Sequence, residues 1–205
     1  MVRSMSSTVD HNHGMRPPRF VLASSSPRRA HILDQAGYRF ESVSPEVDER
    51  PLPGESPASM VERVAAIKAN AVADREAVVL GADTIVVLDG EILGKPADEE
   101  HAVETVLRLG GRSHVVLSGW AVLRGERLSS GIERTVVNMR PIDRASAVRY
   151  VASGEPLDKA GAYAIQGEGV ELVAGYEGSL TNVMGLPMEA LTPVLERFGV
   201  TPESP

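Results

Sequence analysis

The chain has 205 residues, of which 42% are hydrophobic and 24% charged, a composition typical of a globular domain rather than a disordered chain. Its 28 acidic and 21 basic side chains give a net charge of −7, which disfavours a general nucleic-acid binder. Cysteine is absent, which excludes disulfides and thiolate nucleophiles, and no apolar run approaches the ~20 residues that span a bilayer. We therefore expect a cytoplasmic protein without nucleic-acid or membrane partners.

Three segments are predicted along the chain. Residues 1–17 are polar and lack the apolar stretch of a signal peptide, so we interpret them as a disordered leader or a cloning remnant. Residues 18–200 are predicted to form one folded domain. Residues 201–205 are predicted to be a polar tail that frays.

The first third of the domain alternates strand-like and helix-like segments, which predicts an α/β fold with a mixed sheet and flanking helices. Phe20–Ala23 has the pattern of a buried strand, and Ser26-Pro27 is typical of a helix start. A second strand is predicted over Tyr38–Val43, and a second helix begins at Ser56-Pro57. That helix is expected to bury four apolar residues at helical spacing: Met60, Val64, Ile67 and Ala71.

The rest of the domain continues this alternation from a strand at Ala77–Leu80, which leads into Gly81-Ala82-Asp83. The further predicted elements are a hairpin of Thr84–Leu88 and Glu91–Leu93, a helix from Asp98 to Leu109, strands over His114–Leu123 and Ile132–Met139, a helix from Asp143 to Ser153, strands over Ala162–Ile165 and Val170–Val173, and a helix from Pro187 to Phe198. Pro193 is expected to kink or shorten the last helix.

The segment Ala23–Arg29 has the features of an anion-binding site. Three serines lead from a strand into a helix N-terminus, whose unpaired N–H groups and positive dipole end attract anions. Arg28 and Arg29 in the first turn are unfavourable next to that dipole, and a bound phosphate would reconcile the two. The alternative is a serine cap with two exposed arginines.

Carboxylates and lysines elsewhere suit the same ligand. Asp83 is expected just past the C-terminal end of a buried strand, where α/β proteins place their ligand crevice. Glu49 lies in an acidic loop, Lys68 on the second helix and Lys95 after the hairpin. Carboxylates could hold Mg²⁺ or orient a water as general base, and lysines could neutralise phosphate oxygens. Each residue also has an ordinary structural role as its alternative.

A glycine-rich stretch near the C-terminus holds the last candidates. Gln166 lies at a predicted strand end, and its amide can both donate and accept, as reading a base edge requires. Asp158 and Lys159 could form an exposed ion pair or contact a ligand. The alternative is a surface loop with its turn glycines.

In their order and spacing these segments resemble the Maf family of nucleoside triphosphate pyrophosphatases, over essentially all of residues 20–198. The matching segments are LASSSPRR at Leu22–Arg29, VLGADTIV at Val79–Val86, GEILGKP at Gly90–Pro96, EPLDKAGAYAIQG at Glu155–Gly167 and GLP at Gly185–Pro187. The resemblance implies a central, twisted mixed sheet with flanking helices and two lobes around a cleft, as in the Maf and inosine triphosphatase-like folds. It also implies a homodimer.

The resemblance implies hydrolysis of a nucleoside triphosphate between the α and β phosphates, with Mg²⁺ or Mn²⁺ as the metal. Asp83 would be the general base, and Glu49 and Asp83 would hold the metal. Catalytic roles would fall to Asp83, Glu49 and Lys95, and phosphate handling to Ser24, Arg29, Lys68 and Lys95. The substrate-sorting positions match Arg28, Thr84 and Gln166, the combination of the branch that hydrolyses dTTP and UTP. The alternatives are modified or purine triphosphates, or a nucleotide-binding regulator of septum formation without turnover.

Overall fold

The computed structural model describes residues 18–203 except positions 73 and 75; the predicted leader, 1–17, and the last two tail residues lie outside the described part. The strands are β1 (Phe20–Ala23), β2 (Glu41–Val43), β3 (Val78–Leu88), β4 (Glu91–Leu93), β5 (Ser113–Arg124), β6 (Arg127–Met139) and β7 (Val173–Glu177). The helices are α1 (Pro27–Gln35), α2 (Pro57–Ala71), α3 (Glu99–Leu109), α4 (Arg144–Val151), α5 (Leu180–Met184) and α6 (Met188–Arg197). Short 3₁₀ segments occupy Glu155–Asp158, Ala160–Ala162 and Gly167–Leu172.

The seven strands form one mixed sheet in the order β2-β1-β3-β5-β6-β7, with β4 also on β3. Strand β1 runs parallel to β2 and β3, and the pairs from β3 through β7 are antiparallel. Helices flank this sheet, which confirms the predicted fold class. None of the helices in the described part of the chain has the length and apolar character needed to cross a membrane.

The sheet divides along one edge of β3. Strand β1 pairs with β3 only as far as Gly81, and β4 pairs with it only from Val86. Strand β5 occupies the opposite edge from Val79 to Val87, so β1 and β4 share the same edge. Residues 82–85 therefore have no strand partner on that side, and we call this gap the sheet fork.

Helix α2 lies directly on the sheet because two glycines leave room for its backbone. A Cβ atom on Gly81 would lie 2.2 Å from the Ala65 carbonyl oxygen, and one on Gly119 would lie 2.2 Å from that of Val61. The helix consequently buries the side that faces these glycines, which includes Lys68. The predicted buried face was wrong at two of its four positions, Ile67 and Ala71, which are exposed.

The hydrophobic core consists of separate clusters on the two faces of the sheet. On one face, one cluster packs β1, α1 and α6 against the first half of β3, and another packs α3 and α4 against its second half. Met184 of α5 packs against both. The two clusters form two lobes, with the sheet fork between them.

Two predicted strand boundaries were wrong in the first half of the domain. Asp83 lies within β3 and not past its end, because the pairing with β5 continues through Asp83, opposite Gly119. The strand predicted over Tyr38–Val43 begins only at Glu41, where pairing with Val21 of β1 starts.

The C-terminal third departs most from the prediction. Of the strand predicted over Ala162–Ile165, only Ala162 lies in a 3₁₀ segment, and residues 163–165 are irregular. The strand predicted over Val170–Val173 is replaced by the end of the last 3₁₀ segment, and β7 begins only at Val173. Within the first of these segments Ala162 adopts a φ of 53°, and the neighbouring Gly161 and Gly167 adopt 70° and 69°, a left-handed conformation that a regular strand does not have.

Pro193 does not shorten the last helix, contrary to one of the two effects expected of it. Pro193 does not end α6, which continues to Arg197, because an exposed proline within a helix removes only one backbone donor. In the described part of the predicted tail, the Glu203 amide donates to the Gly37 carbonyl oxygen at 2.8 Å, so this residue is bound to the domain.

Candidate active site

A cavity of about 660 Å³ opens at the sheet fork, within the roughly 300–1,000 Å³ typical of small-molecule sites. All nine site residues predicted from the sequence line it: Ser24, Arg28, Arg29, Glu49, Lys68, Asp83, Thr84, Lys95 and Gln166. The structure thus brings into one cavity residues that the chain spreads over more than 140 positions.

The sheet fork explains this convergence. Strand β1 delivers the serine turn and the start of α1 to one side of the gap, and β4 leads to Lys95 on the other. Asp83 and Thr84 lie on the unpaired part of β3 between them. Because successive side chains of a strand point to opposite faces, Asp83 faces α2 and Thr84 faces the lobes, yet both reach the cavity.

Lys68 holds the two carboxylates of the cavity together. Its Nζ lies 2.9 Å from Asp83 Oδ1 and 3.0 Å from Glu49 Oε1. The Lys68 and Asp83 side chains are each 9% exposed, whereas that of Glu49 is 53% exposed. The buried ammonium thus forms an ion pair with each carboxylate and fixes Asp83 in one orientation.

The carboxylates do not form a metal site by themselves. No group of three or more His, Asp or Glu side chains in the described part of the chain could hold an ion. Glu49 and Asp83 supply two carboxylates, and Lys68 contacts both. Mg²⁺ commonly takes one or two carboxylates plus substrate phosphates and waters, so this donor set fits an ion that is shared with a phosphate ligand.

Arg29 is buried and bound to protein atoms. Its Nη1 donates to Ser24 Oγ at 3.1 Å and to the Ala82 carbonyl at 2.9 Å. Its Nη2 donates to Thr84 Oγ1 at 3.1 Å, and its Nε to the Gly185 carbonyl at 2.9 Å. Burial lowers the pKa of Arg29, yet a guanidinium stays charged at neutral pH. Four of its five N–H groups are thus already used.

Two other cations are exposed in the cavity. Arg28 and Lys95 have no hydrogen bond or ion pair among the described residues, which leaves their charges available to a ligand. Lys159 also lines the cavity and pairs with Asp158 at 2.6 Å. Burial opposes ionisation of Asp158, but the Lys159 hydrogen bond and the Arg28 charge hold its pKa below the usual value.

The serine turn is arranged for a ligand as well as for the helix. Ser24 Oγ accepts from the Ser26 amide at 3.2 Å, whereas the Ser26 side chain makes no capping hydrogen bond to α1. Ser25 and Ser26 also line the cavity. Hydroxyl groups beside a helix N-terminus suit a phosphate, as the sequence predicts.

The opposite side of the cavity is largely apolar. Its wall is formed by five side chains: Val86, Val116, Tyr163, Ile165 and Met184. Gln166 lies exposed beside this wall. Behind the apolar wall, Nε2 of the buried His114 lies 2.7 Å from the Tyr163 hydroxyl. Burial lowers the pKa of His114 to about 4.

The sequence reasoning missed Tyr163 and His114. Tyr163 belongs to the matched segment at Glu155–Gly167, so its place in that segment was an available signal. His114 offered none, because a single histidine in a strand pattern does not reveal which distant side chains pack against it.

Comparison with known proteins adds a family match. The model of the family described as Maf-like protein matches residues 19–198. A dTTP/UTP pyrophosphatase of Symbiobacterium thermophilum is 50% identical over 183 residues, which cover 88% of this chain and 94% of that protein. The enzymes of that name from Pelotomaculum thermopropionicum and Myxococcus xanthus are 47% and 48% identical, over 87% and 88% of this chain and 96% and 92% of their own lengths.

Proposed function

The chain belongs to the Maf family, and we propose from this premise that it hydrolyses nucleoside triphosphates, dTTP and UTP foremost, between the α and β phosphates. The products are a nucleoside monophosphate and pyrophosphate. One observation carries the proposal: the cavity at the sheet fork joins carboxylates, exposed cations and an apolar wall. Relatives named dTTP/UTP pyrophosphatase support the same assignment.

Charge placement supports a triphosphate as the ligand. Arg28 and Lys95 offer exposed cations, and Lys68 adds a buried one next to Asp83. Ser24 and the N-terminus of α1 add hydroxyl and N–H donors for phosphate oxygens. Phosphoryl transfer depends on such positioning and charge stabilisation rather than on a covalent intermediate.

We assign Asp83 as the general base. Lys68 donates to Oδ1 and fixes the carboxylate, so the other oxygen is left to accept a proton from a water. As the oxygen of that water bonds to the α phosphorus, the bond between this phosphorus and the α–β bridging oxygen breaks. The bridging oxygen keeps the electron pair and leaves as part of pyrophosphate. Lys95 stabilises the charge that develops on the phosphate oxygens.

A divalent ion, Mg²⁺ or Mn²⁺, is part of the proposal. Glu49 and Asp83 would hold it together with the substrate phosphates, where it would offset negative charge on the phosphate oxygens. Lys68 keeps these carboxylates together before the substrate binds.

Base selection is assigned to Arg28, Thr84 and Gln166 next to the apolar wall. The Gln166 amide can donate and accept at the same time, as the edge of a pyrimidine base requires. An apolar wall excludes water behind the base and favours a flat ring over a solvated group.

A panel of triphosphates tests the proposal. Pyrophosphate release is measured with dTTP, UTP, CTP, GTP and ATP in the presence of Mg²⁺. We expect dTTP and UTP to give the highest kcat/KM. Faster turnover of purine triphosphates would support the alternative substrate class, and binding without release would support a non-catalytic regulator of septum formation.

Three further parts of the proposal concern the whole chain. Residues 18–200 are proposed to carry the activity, so removing the leader and tail leaves kcat unchanged. The protein is proposed to be a homodimer, for which sedimentation gives twice the chain mass of 21.9 kDa. Its proposed location is the cytoplasm, which fractionation tests.

A further inference from the structure

Arg29 takes the place of a strand at the sheet fork. The Ala82 carbonyl lies on the edge of β3 that β1 leaves after Gly81 and β4 reaches only at Val86. The Arg29 Nη1 donates to that carbonyl at 2.9 Å, in a buried position where an unpaired acceptor would be costly. The gap can therefore stay open for a ligand without a buried unpaired acceptor at this point.

The same guanidinium fixes Thr84. Arg29 Nη2 donates to Thr84 Oγ1 at 3.1 Å, and that oxygen lies 2.8 Å from Ser118 Oγ. Ser118 in turn donates to the Asn182 carbonyl at 3.1 Å, and both residues are fully buried. A hydroxyl held from two sides by buried groups has one orientation.

Arg29 also holds the chain after α5. Its Nε donates to the Gly185 carbonyl at 2.9 Å, and Gly185 has a left-handed φ of 111°. Met184 and Gly185 both line the cavity. Thr84 Oγ1 also donates to the Gly185 carbonyl at 3.4 Å, so Arg29 and this contact together link Thr84 on β3 to the end of α5, the two parts that frame the base-facing side.

We propose that Arg29 is a positioning residue for base selection and not a direct phosphate ligand. The inference rests on the proposed function, because it takes Thr84 as a substrate-sorting residue. It replaces the phosphate contact expected of Arg29 from the sequence. The four hydrogen bonds go to Ser24, Ala82, Thr84 and Gly185, which leaves a single N–H on Nη2 unused.

The two roles differ in what they do to base discrimination. All nucleoside triphosphates share the same phosphate chain, so losing a phosphate contact lowers kcat/KM for each by a similar factor. Losing the alignment of Thr84 and Gly185 instead changes the ratio of kcat/KM for dTTP to that for GTP.

The Arg29→Lys variant separates these outcomes. Lysine keeps the positive charge but lacks the planar group that reaches four acceptors in different directions. We expect the ratio of dTTP to GTP kcat/KM to fall by about tenfold, with most of the loss on dTTP. Arg108→Lys is the matched control, because Arg108 is an exposed partner of Glu91 that does not line the cavity, and we expect its ratio to stay at the wild-type value.

An unchanged ratio in Arg29→Lys, whatever the rates, overturns the proposal. If circular dichroism shows that Arg29→Lys does not fold, the Ser118→Ala variant provides the test instead. Ser118 contacts Thr84 from the side opposite Arg29 and does not line the cavity. A ratio reduced by about threefold supports the positioning chain, and an unchanged ratio refutes it.

A binding measurement keeps this test independent of turnover. Calorimetry with α,β-imido analogues of dTTP and GTP gives the ratio of their Kd values for wild type and Arg29→Lys. If the wild type releases no pyrophosphate, the proposed function fails. In that case a Kd ratio that differs between wild type and Arg29→Lys still supports the positioning role of Arg29. An identical Kd ratio contradicts that role.

Discussion

At the scale of single residues, Lys68 is the shared ion-pair partner of Asp83 and Glu49 in the cavity. Its ammonium contacts Asp83 and Glu49, and its own side chain is almost fully buried. Removing one member of such a buried group costs more than the pair contributes, because the remaining charge is left unpaired. Asp83 must therefore be tested by a substitution that keeps its shape.

Asp83→Asn removes the proton acceptor and keeps the size of the side chain. We expect kcat to fall by ~10²–10⁴ while circular dichroism and the fold are retained. Pyrophosphate release measures the effect. Asp89→Asn is the matched control, because Asp89 lies exposed in the β3–β4 turn and asparagine tolerates its φ of 52°. Near-wild-type turnover of Asp83→Asn would remove Asp83 from the mechanism.

His114 predicts a dependence of stability on pH. Burial lowers its pKa from 6.5 to about 4, so between these values the unfolded chain binds a proton that the folded protein does not. The free energy of unfolding therefore falls as pH decreases through this window, by about 3 kcal/mol for this group. Between pH 6.5 and 4, we expect the free energy of unfolding of His114→Phe, measured by urea titration, to fall by about 3 kcal/mol less than that of the wild type. Equal slopes for the two proteins would contradict the assignment.

At the scale of elements, two glycines position Lys68. Gly81 and Gly119 let the α2 backbone contact β3 and β5, and this contact places Lys68 within reach of Asp83. The helix contributes to the site through its distance from the sheet as much as through its side chains.

Gly119→Ala tests this packing. Its Cβ would lie 2.2 Å from the Val61 carbonyl oxygen, so α2 must move away from the sheet. We expect the free energy of unfolding to fall by about 3 kcal/mol and kcat to fall with it, because Lys68 moves away from Asp83. Gly175→Ala on β7 is the control, since nothing lies within 4 Å of its added Cβ. Equal stability of the two variants would refute the packing argument.

Local patterns predicted the start of α1, the β3–β4 hairpin and the caps of α3 and α4, because caps and turns depend on neighbouring residues. They did not predict the sheet fork, which depends on where β1 and β4 pair along β3. The hydrogen-bond partners of Arg29 were hidden for the same reason. Its acceptors on Ala82 and Gly185 lie 53 and 156 positions further along the chain.

At the scale of the whole molecule, an acidic protein concentrates cations in one cavity. The net charge is −7, yet Arg28, Arg29, Lys68, Lys95 and Lys159 all line the cavity at the sheet fork. Three carboxylates, Glu49, Asp83 and Asp158, also line it, so the cations outnumber the carboxylates there and an anionic substrate is attracted to the cavity.

The donor set of the cavity predicts how the metal binds. Because Lys68 contacts both Glu49 and Asp83, Mg²⁺ should bind weakly to the nucleotide-free protein and tightly once a non-hydrolysable dUTP analogue is present. Calorimetric titrations with and without the analogue measure this difference, and chelation by EDTA should stop turnover. Equally tight binding without nucleotide would contradict a shared ion.

The central claim is that the cavity at the sheet fork cleaves the α–β bond of a nucleoside triphosphate. Phosphorus NMR of UTP incubated with the protein and Mg²⁺ tests it most directly, because each product has its own resonance. We predict UMP and pyrophosphate in equal amounts, with the reaction strongly slowed in Asp83→Asn. Formation of UDP and orthophosphate would mean that the β–γ bond is cut, and would contradict the account.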